Sequence, residues 1–174
     1  MAEGPGRRLF FALWPDEELR DGIIRRRQLL GRISHRQVPD HNLHLTLVFL
    51  GDQPGFQLAG ILEQADQVQS RAFELTLDRA GWFARAGVVW LGGPAVEAGR
   101  ILVSSILECM KAIGIEADSR PWAPHVTLYR KVRRRPELPA IPPLLWPARE
   151  FSLVESISGR PYQVLRTWSL ESAR

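Results

Sequence analysis

The apolar positions of this chain change period repeatedly, and each change predicts an element. Arg8 to Leu13 is a short, nearly continuous apolar run that reads as a strand, and Trp14-Pro15-Asp16 stops it. Proline followed by an acidic first turn starts a helix, whose inner stripe is Leu19, Ile23 and Leu30. Ser34 to Asp40 reads as a loop, and Leu43 to Leu50 as a strand closed by the turn dipeptide Gly51-Asp52. Leu58, Ile61, Leu62, Ala65 and Val68 recur at helical spacing. Phe73 to Leu77 and Gly87 to Leu91 then read as strands around a glycine-rich connection, which suits a hairpin. Ala98, Leu102, Ile106, Cys109 and Ile113 mark a third helix, ended by Gly114. A further strand starts at His125. Pro136 to Pro147, with five prolines among twelve residues, reads as extended loop because proline cannot donate to a sheet ladder. Arg149 to Ser158 and Gln163 to Leu170 supply the last strands. Several strands lie too close together for crossover helices, so the order predicts an α+β fold with largely antiparallel sheets.

Two of these strands carry the same phrase, His44-Leu45-Thr46-Leu47 and His125-Val126-Thr127-Leu128, in a chain with four histidines. On a strand each phrase sends His and Thr to one face and the aliphatic residues to the other. Two such strands facing a cleft would bring two imidazoles and two hydroxyls together, which suits an acid, a base and an anion-binding pair for phosphoester cleavage. A single His-x-Thr would be read as a half-buried strand histidine bonded to a neighbour, and threonine as a good strand former. The duplication at half the chain length reverses that reading and implies two copies of one structural unit.

Length and content narrow the picture further. At 174 residues and 45% hydrophobic content the chain is expected to fold as one domain, residues 1–174. No apolar run approaches the roughly 18 residues that span a bilayer, and the start of the chain lacks a secretory apolar core, so a cytoplasmic protein without a membrane role is expected. Cys109, the single cysteine, falls on an apolar helix stripe and reads as a small buried hydrophobe. His35 and His41 read as surface histidines, and no ligand spacing suggests a metal site. The net charge of +4 favours a polyanionic or phosphorylated partner. Of the basic runs, Arg25-Arg26-Arg27 reads as a solvated helix face. Arg130-Lys131 and Arg133-Arg134-Arg135, directly after the second motif, suit either a surface or a binding role.

The opening Arg8-Leu9-Phe10-Phe11-Ala12-Leu13, the segment Asn42 to Leu47 with Phe49-Leu50-Gly51, and Pro124 to Leu128 with Arg130 form an ordered set. In this set the chain resembles the 2H phosphoesterases, especially the RNA 2′,3′-cyclic phosphodiesterases formerly called 2′-5′ RNA ligases. The resemblance implies a bilobal, pseudo-duplicated α+β fold, two mainly antiparallel sheets facing a central cleft with helices outside. It implies His44 as the general acid that protonates the departing 3′ oxygen, His125 as the base that activates water, and Thr46 and Thr127 as holders of the phosphate oxygens. No metal or other cofactor is expected. The implied substrate is RNA with 2′,3′-cyclic phosphate ends, tRNA fragments among them, opened to 2′-phosphomonoesters by a monomer, with 2′-5′ ligation as the possible reverse activity. Phosphodiesterase action on small cyclic nucleotides and non-catalytic binding of RNA ends are the alternatives. Arg130 is expected to contact phosphate or RNA. Strict alternation from His125 places it on the wrong face, and a bulge, twist or strand end must restore it. Phe11 and Tyr129 are candidates to stack on a terminal base, with a place in the core at least an equal alternative for Phe11. Trp82, Trp90 and Trp122 are assigned to packing.

Overall fold

The computed structural model describes residues 6–172. Its elements in chain order are β1 (Arg7–Leu13), α1 (Glu17–Leu29), β2 (Arg36–Gln37), β3 (Leu45–Gln53), α2 (Gln57–Ala65), β4 (Phe73–Leu77), β5 (Arg79–Phe83), β6 (Val88–Gly92), α3 (Glu97–Lys111), β7 (His125–Arg130), β8 (Leu144–Ala148), β9 (Glu150–Ser156) and β10 (Gln163–Ser169). Seven strands form one antiparallel path, β10-β9-β1-β3-β7-β6-β5, with β2 added beside β7, and β4 and β8 form a separate pair. The α+β class and the antiparallel sheets expected from the pattern are therefore present. None of the helices among the described residues is long and apolar enough to cross a membrane.

The path divides into two wings. β3 closes the wing containing β1, β9 and β10, β7 closes the other, and the two meet at the single pair Leu45↔Val126. These are the second residues of the two motifs, so the repeated phrases abut about their own midpoint instead of lying in separate sheets. Both are fully buried and point to the core, with Leu9, Phe11, Leu13, Leu91 and Leu128.

Each motif strand departs from alternation at the same place. Phe11 pairs with Val48 and Ala12 with Thr46, which leaves Leu47 as an inserted residue of β3. Val89 pairs with Tyr129 and Trp90 with Thr127, which leaves Leu128 inserted in β7. The fourth residue of each motif is thus a β-bulge, and beyond it the faces exchange. Leu47 with Val48, and Leu128 with Tyr129, are consecutive buried residues. Phe49 and Arg130 return to the face that carries His and Thr.

The helices cover the core face. α1 is capped by Asp16, whose carboxylate accepts from the Leu19 N–H at 2.8 Å, and it buries Leu19 and Ile23 as its stripe predicts. Arg25 of its arginine run is exposed as expected, but Arg26 and Arg27 are not a solvated face. Arg27 is buried, donates to the Val38 carbonyl at 2.9 Å and pairs with Asp40, while Arg26 donates to the carbonyls of Pro142 and Pro143. The run thereby clamps the segment entering the first motif and the proline-rich segment. α3 buries Gly99, Leu102, Val103, Ile106 and Met110, leaving Cys109 half-buried at the edge of that stripe, its thiol pushed up by burial.

Three local expectations are corrected. β2 forms within the expected 34–40 loop because Arg36 and Gln37 find a ladder beside Arg130 and Tyr129. The hairpin is β5 with β6, and β4 pairs with β8 instead. β8 takes up Leu144 to Ala148 despite Pro147, which is tolerated because a two-stranded sheet leaves one side of β8 without a ladder.

Trp122 packs across α3 where Gly99 leaves room, and its indole N–H donates to the Thr46 carbonyl at 3.2 Å. A Cβ at Gly99 would lie 2.3 Å from the Trp122 ring. Gly99→Ala is therefore expected to destabilise the fold by up to about 2 kcal/mol, the roughly 1–3 kcal/mol cost of overpacking less the roughly 1 kcal/mol that alanine gains in helix propensity. A lowered melting temperature checks this.

Candidate active site

The Leu45↔Val126 register places His44 across from Thr127, and Thr46 across from His125, on the face opposite the core. Four polar side chains from two distant segments thus become neighbours. Each imidazole is oriented by its own chain. His44 Nδ1 lies 2.7 Å from the Asn42 carbonyl and His125 Nδ1 lies 2.7 Å from the Ala123 carbonyl. A carbonyl can only accept, so both Nδ1 atoms carry hydrogen, and Nε2 is the nitrogen left for chemistry on each ring. His44 Nε2 meets the Thr46 hydroxyl at 3.1 Å. Among the described residues, His125 Nε2 has no protein partner and stays open to a ligand.

Aromatic rings enclose both histidines. Trp14 stacks on His44 at 5.5 Å, Phe10 lies 4.9 Å away and Tyr162 presents an edge at 5.4 Å. Phe83 stands edge-on to His125 at 5.1 Å, with Trp90 at 6.3 Å. Burial in these cages disfavours the imidazolium. It pushes His44 down to about 4, against the raising effect of the Asn42 carbonyl, with the charges of Arg130 and His125 lowering it further. His125 is lowered by burial, opposed by its bond to Ala123 and reinforced by Arg130. Arg130 therefore acts electrostatically on both rings, as its place beyond the Leu128 bulge requires.

The lowered His44 also makes folding sensitive to acid. The unfolded chain protonates this ring near 6.5 and the folded chain near 4, so the unfolded state binds more protons between those values. Stability is full above the upper value and falls as pH drops toward the lower one, by up to about 3 kcal/mol. Denaturant unfolding across this window is expected to show the loss, and His44→Gln to flatten it.

Of the residues expected to line the site, His44, Thr46, His125, Thr127 and Arg130 are brought together. Phe11 and Tyr129 are not. Phe11 is fully buried on the core face against Phe151 and Trp168, so no base can reach it. Tyr129 is turned inward by the Leu128 bulge, and its hydroxyl donates to the Gly31 carbonyl at 2.9 Å. The rings that do flank the histidines were missed or assigned elsewhere. Phe10 and Phe11 take opposite faces of β1, and only the register of that strand against β3 decides which of them meets His44. Trp90 was legible from alternation with the glycine at 92, which aligns with His125. Trp14 and Tyr162 come from connections with no period to read. Trp82 and Trp122 do pack, with indole N–H groups bonded to the carbonyls of Val132 and Thr46. His35 and His41 are exposed. Among the described residues, no group of three or more His, Cys, Asp or Glu is placed to hold a metal ion.

The family model of the 2′-5′ RNA ligase superfamily matches residues 15–157, which include both motifs, both bulges and Arg130. The chain belongs to that superfamily. Among curated relatives of this 2′-5′ RNA ligase superfamily member, the RNA 2′,3′-cyclic phosphodiesterase of Escherichia coli is 34% identical over 94% of this chain and 96% of its own. That of Thermus thermophilus is 31% identical over 94% and 90%. The crystal structure of E. coli LigT in apo form superposes with a TM-score of 0.82 at 32% identity, covering 97% of this chain and 99% of that one. LigT complexed with 3′-AMP gives 0.81 at 33% identity, over 95% and 98%.

Proposed function

We propose that this protein hydrolyses 2′,3′-cyclic phosphate ends of RNA to 2′-phosphomonoesters through its two motif histidines. The observation that carries the reading is the Leu45↔Val126 pair, which sets two Nδ1-anchored imidazoles and two threonine hydroxyls on one face within the influence of Arg130. The relatives named RNA 2′,3′-cyclic phosphodiesterase support the substrate class.

In this mechanism the cyclic phosphate lies between the two rings. His125 Nε2 takes a proton from water, whose oxygen attacks phosphorus. The bond from phosphorus to the 3′ oxygen breaks, and His44 Nε2 delivers a proton to that oxygen. Atoms balance as one water added across one P–O bond. Thr46, Thr127 and the Arg130 guanidinium stabilise the charge that grows on the non-bridging oxygens. Burial favours the neutral form of both rings, so the acid form of His44 depends on the incoming phosphate anion, which favours imidazolium. A 5′-hydroxyl in place of water would give a 2′-5′ linkage by the same proton transfers. The proposal extends to a monomer acting in the cytoplasm, with tRNA fragments among its substrates.

The test is incubation of EDTA-treated protein with a short RNA ending in a 2′,3′-cyclic phosphate, with the product read by phosphorus NMR. A 2′-phosphomonoester formed by the native chain and lost in His125→Ala supports the proposal. A 3′-phosphomonoester, or no product, overturns it.

A further inference from the structure

The basic tract after the second motif takes no part in the chemistry above, yet it is built as carefully as the motif strand. Lys131 adopts a left-handed backbone (φ 56°), which turns the chain at the end of β7. Val132 is then locked in place. It is buried, its N–H donates to the Gly87 carbonyl at 2.9 Å, and its carbonyl accepts the Trp82 indole N–H at 3.0 Å. On the other side, the Ser34 hydroxyl donates to the Arg130 carbonyl at 2.9 Å. Around this fixed point Lys131, Arg133, Arg134 and Arg135 are all exposed. Among the described residues, none of the four is paired with a carboxylate. They line an open cavity of about 830 Å³ with Ser34 and His35, in which Glu137 is the one carboxylate.

The tract is continuous with the cleft. Arg130 ends the strand that begins at His125, its backbone about 16 Å away along β7 at the usual rise per residue, while its guanidinium charge still acts on both rings. Arg36 lies across the ladder from Arg130 and so shares its face. Cations thus extend from the catalytic quartet past the strand end into the cavity. A mononucleotide held between the histidines does not reach that far, whereas a polymer with regularly spaced phosphates does.

We infer that Lys131, Arg133, Arg134 and Arg135, fixed around buried Val132, bind the RNA body upstream of the cyclic phosphate end. This rests on the proposed RNA substrate and adds to it a polymer-specific surface outside the catalytic groups. Unpaired arginines on an anchored backbone are pre-ordered for phosphate, and each contact adds to the salt dependence of binding.

The test uses the full chain and the variant Arg133→Ser/Arg134→Ser/Arg135→Ser. Binding of a fluorescein-labelled single-stranded RNA of about 12 nucleotides ending in a 2′-phosphate is measured by anisotropy against salt. Hydrolysis of a 2′,3′-cyclic mononucleotide is measured in parallel. The variant is expected to bind the RNA at least about tenfold more weakly, with the slope of log affinity against log salt reduced by about 2, as three lost single-strand phosphate contacts require. Turnover of the mononucleotide is expected to be unchanged, which also shows that the variant folds. Unaltered RNA affinity and salt slope in the variant overturn the inference, as does an equal fold-loss of RNA affinity and of mononucleotide turnover. If the native chain hydrolyses neither the mononucleotide nor an RNA ending in a 2′,3′-cyclic phosphate, the catalytic reading fails, but a length- and salt-dependent RNA affinity lost in the variant still upholds the tract.

Discussion

Alanine at position 125 is expected to lower kcat on a cyclic-phosphate RNA by roughly 10²–10⁴-fold, the usual contribution of a positioned acid or base. The same loss is expected for His44→Ala. Neither change should unfold the protein, because neither histidine is part of the hydrophobic core that includes Leu45 and Val126. With its Nδ1–H spent on the Ala123 carbonyl, Nε2 is the one atom of the His125 ring left to accept a proton, and it goes with the ring. His44 occupies a closer cage between Trp14, Phe10 and Tyr162, and its loss leaves an apolar space that water serves poorly as an acid. The double variant should be only slightly slower than either single one, since in the proposed mechanism the two rings serve one proton relay and groups that act as a unit are not additive. Single-turnover rates, with circular dichroism as the folding control, check all three. Near-native rates in both single variants would remove the histidines from the mechanism.

Why the histidines, the threonines and Arg130 were legible in the sequence, and the aromatic rings around them were not, has a physical reason. A period-2 motif written twice predicts two strands and their polar faces, and the element pattern follows from the same rule. Alternation holds only while the ladder is regular. The bulges at Leu47 and Leu128 exchange the faces, which sends Tyr129 into the core and Arg130 into the cleft. The aliphatic run in which each bulge sits gives no local sign of it. Phe10 and Phe11 are identical residues in adjacent positions, and their assignment depends on the register of β1 against β3. Arg27 looks like any helix-surface cation until Val38 and Asp40 are brought to it by a fold that the helix period does not encode. Proline predicts the absence of a ladder bond, yet β8 needs a ladder on one side only.

The pH dependence of the reaction should report the aromatic cages directly. Because burial holds His44 near 4 and lowers His125 from 6.5, both free-enzyme ionisations fall below the ordinary histidine value. The productive form needs one ring protonated and the other neutral. kcat/KM should therefore be bell-shaped with its maximum at acid pH, between the two ionisations, and fall about tenfold per unit above the upper one. The rate is therefore expected to keep falling from the maximum through neutral to mildly alkaline pH on that slope. Bound substrate reverses the bias, since the phosphate anion favours imidazolium and offsets Arg130. The kcat profile should thus lie at higher pH than the kcat/KM profile. Trp14→Ala opens the stacked face of His44 to water, so it should move the acid limb of kcat/KM upward, toward the ordinary value, while leaving the His125 limb in place. Coincident kcat and kcat/KM profiles centred on the ordinary histidine value would show that the cages do not govern protonation in the working enzyme.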